Sequence, residues 1–183
     1  MAKRNGTLAA MTSTLHSMSE PSPWVQRWAP SIRSGGSVLD VAAGGGRHAR
    51  FLAAMGFRVD AVDRDLSMFG EPLANVTLRE ADLEEQPWPY EGRRFDGIVV
   101  TNYLHRPLLP RLVDSLEPGG VLVYETFARG NECFGKPSNP AFLLAPGELL
   151  DAVHNHLRVL GYEDLVVAQP RPAAVQRIAA RRE

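Results

Sequence analysis

Val38-Leu-Asp-Val-Ala-Ala-Gly-Gly-Gly46 is the stretch on which the reading of this chain turns. Val38, Leu39 and Val41 suit a buried strand, Asp40 lies near its carboxyl end, and Gly44, Gly45 and Gly46 follow at once. Glycine lacks a Cβ, so it takes positive φ and lets a ligand approach bare backbone. Ala42 and Ala43 are nearly as small. The next segment, Arg47 to Met55, has helix-forming composition, with Phe51, Leu52 and Met55 at helical spacing. A strand, a small-residue turn and a helix with unpaired first-turn N–H groups make a seat for a nucleoside-containing ligand at the carboxyl edge of an open α/β sheet.

Outward from this loop, Phe57 to Asp63 alternates as a second strand that again ends in an acid. Asp63 stands 17 residues after Gly46. Its two carboxylate oxygens match the two hydroxyls of a ribose. Gly44, Gly46 and Ala49 also satisfy G-x-G-x-x-A, so on these residues alone a nicotinamide dinucleotide stays open beside other nucleosides. A short helix is predicted over Asp65 to Leu73, then a third strand over Val76 to Glu80, followed by Asp82 and Leu83. The apolar run from Arg94 to Asn102 predicts a central fourth strand, Pro107 to Leu116 a helix, and Val121 to Glu125 a fifth strand. A further helix runs from Glu148 to Leu157. Arg158 to Val167, broken at Gly161-Tyr162, and Ala173 to Ala180 read as an antiparallel pair. Near the start, Ser22 and Pro23 are helix-entry residues for Pro21 to Arg33. Trp24, Val25, Trp28 and Ile32 would fix that helix to the sheet, with a tryptophan lining the pocket as the alternative.

The run from Asp40 to Gly46 resembles the D/E-x-G-x-G-x-G loop of class I S-adenosylmethionine (SAM) dependent methyltransferases, with Ala42 in place of the first glycine. "FDGIVV" (95–100) resembles the family's fourth strand, and Leu116 to Leu122 matches its L-x-P-G-G-x-L junction, which is not expected of a nicotinamide dehydrogenase. The resemblance extends from about residue 34 to the end of the sequence. It implies an α/β fold: a Rossmann-like, doubly wound, mostly parallel seven-stranded sheet with an antiparallel C-terminal hairpin and helices on both faces. It also implies SAM as cofactor. The cofactor residues it points to are Asp40, Ala42, Gly44, Gly46 and Asn102, with Asp63 for the ribose, Asp82 for the adenine amino group and the Leu83 N–H for a ring nitrogen. Asn102-Tyr103 resembles the end of the N-P-P-Y tetrad of amino-directed nucleic-acid methyltransferases, but both prolines are missing and that activity is not carried over. Acceptor contacts gather after the fourth strand in this family. Tyr103 and His105, with Glu125 at the end of the fifth strand, are therefore the candidates for acceptor alignment or proton removal.

The chain has 183 residues, 44% hydrophobic and 22% charged, which suits one globular domain. Residues 1–20 read as a loose segment and 21–183 as a single domain. Within it, residues 126–147 are too irregular for an element and too rich in Phe for disorder, and are expected to form a substrate lid. Such a scale fits a small-molecule acceptor. Compact members of the resembling family, the tellurite-resistance and thiopurine types, act on chalcogen or thiol acceptors. A nucleic-acid or protein acceptor and a non-catalytic SAM-binding module are the alternatives. Net charge is −1: residues 171–183 carry four arginines against Glu183, Lys3 and Arg4 lie near the start, and the body between is acidic. That distribution does not suggest general nucleic-acid binding. Cys133 is the only cysteine, which excludes an intramolecular disulfide and fits a cytoplasmic location. No apolar run reaches the about 18 residues of a membrane span. His154 and His156, two apart, do not face each other on a helix, and no metal site is expected. Oligomeric state is not legible.

Overall fold

The computed structural model describes residues 20–71 and 73–183. Its sheet has seven strands: β1 (Ser37–Val41), β2 (Arg58–Asp63), β3 (Val76–Glu80), β4 (Phe95–Thr101), β5 (Leu116–Phe127), β6 (Arg158–Val167) and β7 (Ala173–Arg181). They lie in the order β3-β2-β1-β4-β5-β7-β6. The first five in that row are parallel, and β7 runs antiparallel to both β5 and β6. The winding reverses between β1 and β4, which leaves a crevice outside their carboxyl ends. All seven residues of β4 are buried, as its apolar run predicts for a strand covered on both faces.

Alternation along the strands divides the core in two. Leu39, Ile98, Val100, Leu122 and Tyr124 meet Leu112 and Val113 of α3 (Leu109–Asp114) and Leu149 and Val153 of α4 (Glu148–Val153). Val38, Val99, Val121 and Val123 face the other way, toward Trp24 and Val25 of α1 (Pro23–Trp28) and Leu52 of α2 (Arg47–Ala54). Each large side chain buried this way contributes about 1.5–3 kcal/mol. Ser22 caps α1 by accepting from the Trp24 N–H at 3.1 Å. Trp24 is 2% exposed, and its Nε1 donates to the Ile178 carbonyl, so this tryptophan packs the helix onto β7.

Five expectations change. No helix forms over 65–73 among the described residues. Asp63 and Asp65 instead take the N–H groups of Asp65 and Ser67, and Arg50 takes the carbonyls of Phe69 and Glu71. These side-chain bonds compete directly with a helical ladder. The helix expected from Pro107 becomes a 3₁₀ turn, Arg106–Leu108, followed by α3, and β5 starts early at Leu116. Its early part is tied to the chain's end by Gly119 N–H to Arg182 O at 2.7 Å. α4 stops at Val153, since His154 is extended and Asn155 has φ 61°. β6 is continuous with an irregularity between Val159 and Gly161, and Gly161 is required there because a Cβ would run into the Trp28 ring. The loose segment expected over residues 1–20 lies, apart from Glu20, outside the described residues. Among those described, no helix is long and apolar enough to cross a membrane.

Candidate functional site

The turn after β1 is built from positive φ: Ala42 at 54°, Gly44 at 53° and Gly46 at 76°. Ala42, at the position of the resembling loop's first glycine, carries a conformation that costs an L-residue about 1–2 kcal/mol. The Gly44 N–H donates to Asp63 Oδ2 at 2.8 Å, so the acid at the end of β2 fastens the loop. A Cβ placed on Gly44 would meet nothing within 4 Å, which leaves the loop surface open to a ligand. At Gly46 the reverse holds: a Cβ would enter the Phe69 ring. Gly46→Ala is expected to cost about 1–3 kcal/mol from strained φ and the displaced ring, seen as a lower urea midpoint.

Beside the loop lies a cavity of about 320 Å³. Ala42, Asp63, Asp82, Leu83 and Tyr103, all singled out from the sequence, line it together with Arg64, Ala81, Glu84 and Phe142. The carboxyl ends of β2 and β3 thus deliver three acids, Asp63, Asp82 and Glu84, to one concavity. Asp63 Oδ1 already accepts from the Asp65 N–H and Asp82 Oδ1 from the Glu84 N–H, but each carboxylate oxygen has two acceptor positions. The Tyr103 phenol is pushed above its ordinary range, first by burial and then by the charges of Glu84 and Asp82. It therefore stays protonated, a donor and not a base. Its backbone carbonyl accepts from the Tyr124 hydroxyl at 2.9 Å, which fixes the segment after β4.

Under the loop the polar groups are buried. Asp40 is 1% exposed, and its Oδ2 has no hydrogen-bond partner among the described residues. Burial raises its pKa to about 7, opposed by the Ala49 N–H and by Arg47. His48, on α2, is pushed down to about 3, by burial and then by Arg47, and so is neutral. Its Nε2 accepts from the Ser22 N–H at 3.1 Å, so the proton sits on Nδ1 and is shared with Thr101 Oγ1 at 3.2 Å. Ser22 in turn donates to Glu125 Oε1 at 2.8 Å, and Glu125 Oε2 meets Arg177 at 3.1 Å.

Six of the residues singled out do not line the cavity. Asp40 lies buried behind the loop. Gly44 and Gly46 shape the turn, and Asn102 follows β4 with φ 55°, its N–H donating to the Glu125 carbonyl. His105 is half-buried at the start of the 3₁₀ turn. Glu125 is held between Ser22 and Arg177. Of the lining residues missed, Arg64 and Glu84 adjoin acids that were singled out and had no periodicity to mark them. Phe142 belongs to the 126–147 segment, and no local pattern places it at the carboxyl ends of β2 and β3. No group of three or more His, Cys, Asp or Glu side chains among the described residues could hold a metal.

A glycine turn with open backbone, an acid at the end of β2 and another after β3 fit a nucleoside cofactor whose ribose and adenine need acceptors. Residues 14–157 match the family model for a methyltransferase domain. Comparison with curated proteins gives no match. Among solved structures, TehB from Haemophilus influenzae superposes with a TM-score of 0.68 at 17% identity over 87% of this chain. The match spans 61% of that protein's chain, so this chain corresponds to about three-fifths of it. A SAM-dependent methyltransferase structure from Listeria monocytogenes, described as putative in its own name, gives 0.66 at 12% identity, over 87% of this chain and 98% of that one. Coclaurine N-methyltransferase, bound to N-methylheliamine and S-adenosylhomocysteine, gives 0.61 at 20% identity, over 78% of this chain and 49% of that one. At these identities the superpositions carry the fold, while the family match covers most of the chain: it belongs to the methyltransferase-domain family and is a class I SAM-dependent methyltransferase.

Proposed function

We propose that the chain methylates a small-molecule acceptor. The observation that supports this reading is Phe142: the 126–147 segment brings an aromatic side chain to the same cavity as Asp63 and Asp82, in keeping with a small acceptor held by the chain's own loop. Coclaurine N-methyltransferase, bound to N-methylheliamine, is in keeping with that scale. In this reading Asp63 would hold the ribose hydroxyls, and Asp82 with the Leu83 N–H the adenine edge. The backbone of Ala42, Gly44 and Gly46 would carry the methionine end over Asp40, and Asn102 would border it from β4. Residues 21–183 act as one domain, with 126–147 as the lid. The lone Cys133, exposed and free, accords with a cytoplasmic location.

Bound SAM supplies a methyl group on a sulfonium, a leaving group already activated. What the protein adds is alignment and exclusion of water, and orientation alone is worth about 7–11 kcal/mol. Tyr103, held protonated, orients by donating. Glu125 has both oxygens engaged and acts as a strut. His105, half-buried after β4 and off the cavity lining, would be the group to receive a proton from the acceptor.

The test is S-adenosylhomocysteine formation by the purified chain with SAM and panels of thiol, amine and phenol acceptors. Turnover with a member of one panel, little affected by salt, is the expected result. Turnover on nucleic acid that collapses with salt would transfer the reading to that substrate. SAM binding without turnover on any panel would make the chain a binding module.

A further inference from the structure

Arg106 follows β4 by a few residues and makes more bonds than a surface arginine needs. Its Nε and Nη2 meet the two oxygens of Glu148 at 2.6 and 3.0 Å. Nη1 donates to the Ala141 carbonyl at 2.7 Å and Nη2 to the Leu143 carbonyl at 3.0 Å. The two backbone acceptors flank Phe142. Glu148 also accepts the Ala145 N–H at 2.8 Å, so its carboxylate is locked from both sides. Asn139 caps the turn Pro140–Phe142 by accepting from the Ala141 N–H at 3.0 Å.

Burial around this turn is uneven. Leu143 and Leu144 are 2% and 0% exposed, and Leu144 is bonded to Phe127 at the end of β5 and to Arg129 just beyond it. Residues 132–136 and 138–142 are exposed or nearly so, and Phe142 itself is 51% exposed while lining the cavity. Packing therefore anchors the segment just after Phe142 but does not set the Phe142 ring. The carbonyls on either side of it are held by one guanidinium, whose rigid fork spans a carboxylate and backbone oxygens together.

The geometry points to Arg106 as a positioning residue: by gripping the backbone before and after Phe142, it sets that ring into the wall of the cavity shared with Asp63 and Asp82. The inference rests on the SAM reading of that cavity and adds a residue that touches neither cofactor nor acceptor. Arg106 follows Tyr103 and His105 in the chain, so its bonds to Ala141 and Leu143 couple the segment after β4 to the turn that carries Phe142. Lysine cannot reproduce this grip, having one ammonium where four contacts are made.

The experiment uses the whole chain and S-adenosylhomocysteine as probe. Phe142→Ala is expected to raise the dissociation constant about fivefold, and Arg106→Gln and Arg106→Lys to do the same, each with an unchanged circular dichroism spectrum. Because Arg106 acts through Phe142, the double variant R106Q/F142A should bind no more weakly than F142A alone. Chymotryptic cleavage after Phe142, measured without ligand, should be faster in R106Q than in the wild type, since a loosened turn opens more often. Multiplying losses in the double variant, unchanged binding in F142A or R106Q, or unchanged cleavage would each overturn the assignment. A wild-type chain that fails to bind the probe is a failure of the SAM reading. A binding wild type matched by R106Q is a failure of this one.

Discussion

Asp63→Ala is expected to weaken binding of SAM and of S-adenosylhomocysteine more than tenfold. A hydrogen bond to a charged group contributes about 1.5–3 kcal/mol, and a tenfold change is about 1.4 kcal/mol, so losing even one ribose contact reaches that threshold. The carboxylate also has a second duty. It holds the Gly44 N–H at 2.8 Å and the Asp65 N–H at 3.0 Å, so the alanine variant loosens the loop that the cofactor's methionine end would lie on. Asp63→Asn separates the two effects. One amide oxygen can still accept from Gly44 while the pair of charged acceptors is gone, so D63N should bind better than D63A and worse than the wild type. Calorimetric titration of the three proteins measures this. An unchanged dissociation constant in folded D63A would remove Asp63 from the site.

What could be read from the residues and what could not divides along the range of the interactions. β1, β2 and β4 announce themselves because a central parallel strand is an apolar run, and the acids at or after the ends of β2 and β3 are conspicuous where such a run stops. Ala42, Asp63, Asp82, Leu83 and Tyr103 meet in space because parallel strands in register bring their carboxyl ends to one edge. The failures have other causes. The helix expected over 65–73 loses to Asp63, Asp65 and Arg50, whose side chains satisfy that backbone without helical bonds. Local propensity weighs nothing against such partners, one of which lies a helix away. β5 begins early because Arg182, at the far end of the chain, bonds Gly119 and Gly120 through its backbone and the carbonyls of Val113, Asp114 and Leu116 through its side chain. Phe142 reaches the cavity through a clamp between Arg106 and Glu148, 42 residues apart. No window of sequence contains both ends of that pair.

Asp40→Asn is expected to stabilise the ligand-free protein at pH 8 by on the order of 2–4 kcal/mol and to leave it nearly unchanged at pH 4. The carboxyl's folded value of about 7 stands above the 3.8 of an ordinary aspartate, chiefly through burial. Below 3.8 the acid is protonated folded and unfolded, so it adds no pH-dependent difference. Between 3.8 and about 7 the folded state keeps a proton that the unfolded state has released, and stability falls as pH rises. Above about 7 both states are ionised and the folded protein carries the whole cost of a buried charge. An amide can keep the Ala49 N–H as donor without that charge, so the gap between variant and wild type should open over this window in thermal or urea unfolding. Equal stability of the two proteins from pH 4 to pH 8 would count against it. A group that destabilises the empty fold at neutral pH is accounted for if its unpartnered Oδ2, behind the glycine turn, takes a partner from the ligand as proposed above. The ammonium at SAM's methionine end offers the positive charge that a buried carboxylate lacks. The same D40N substitution should therefore weaken SAM binding at pH 8, and by less at pH 5, where the wild-type carboxyl is already protonated. Greater stability with poorer binding is the pairing expected of a residue kept for the ligand's sake.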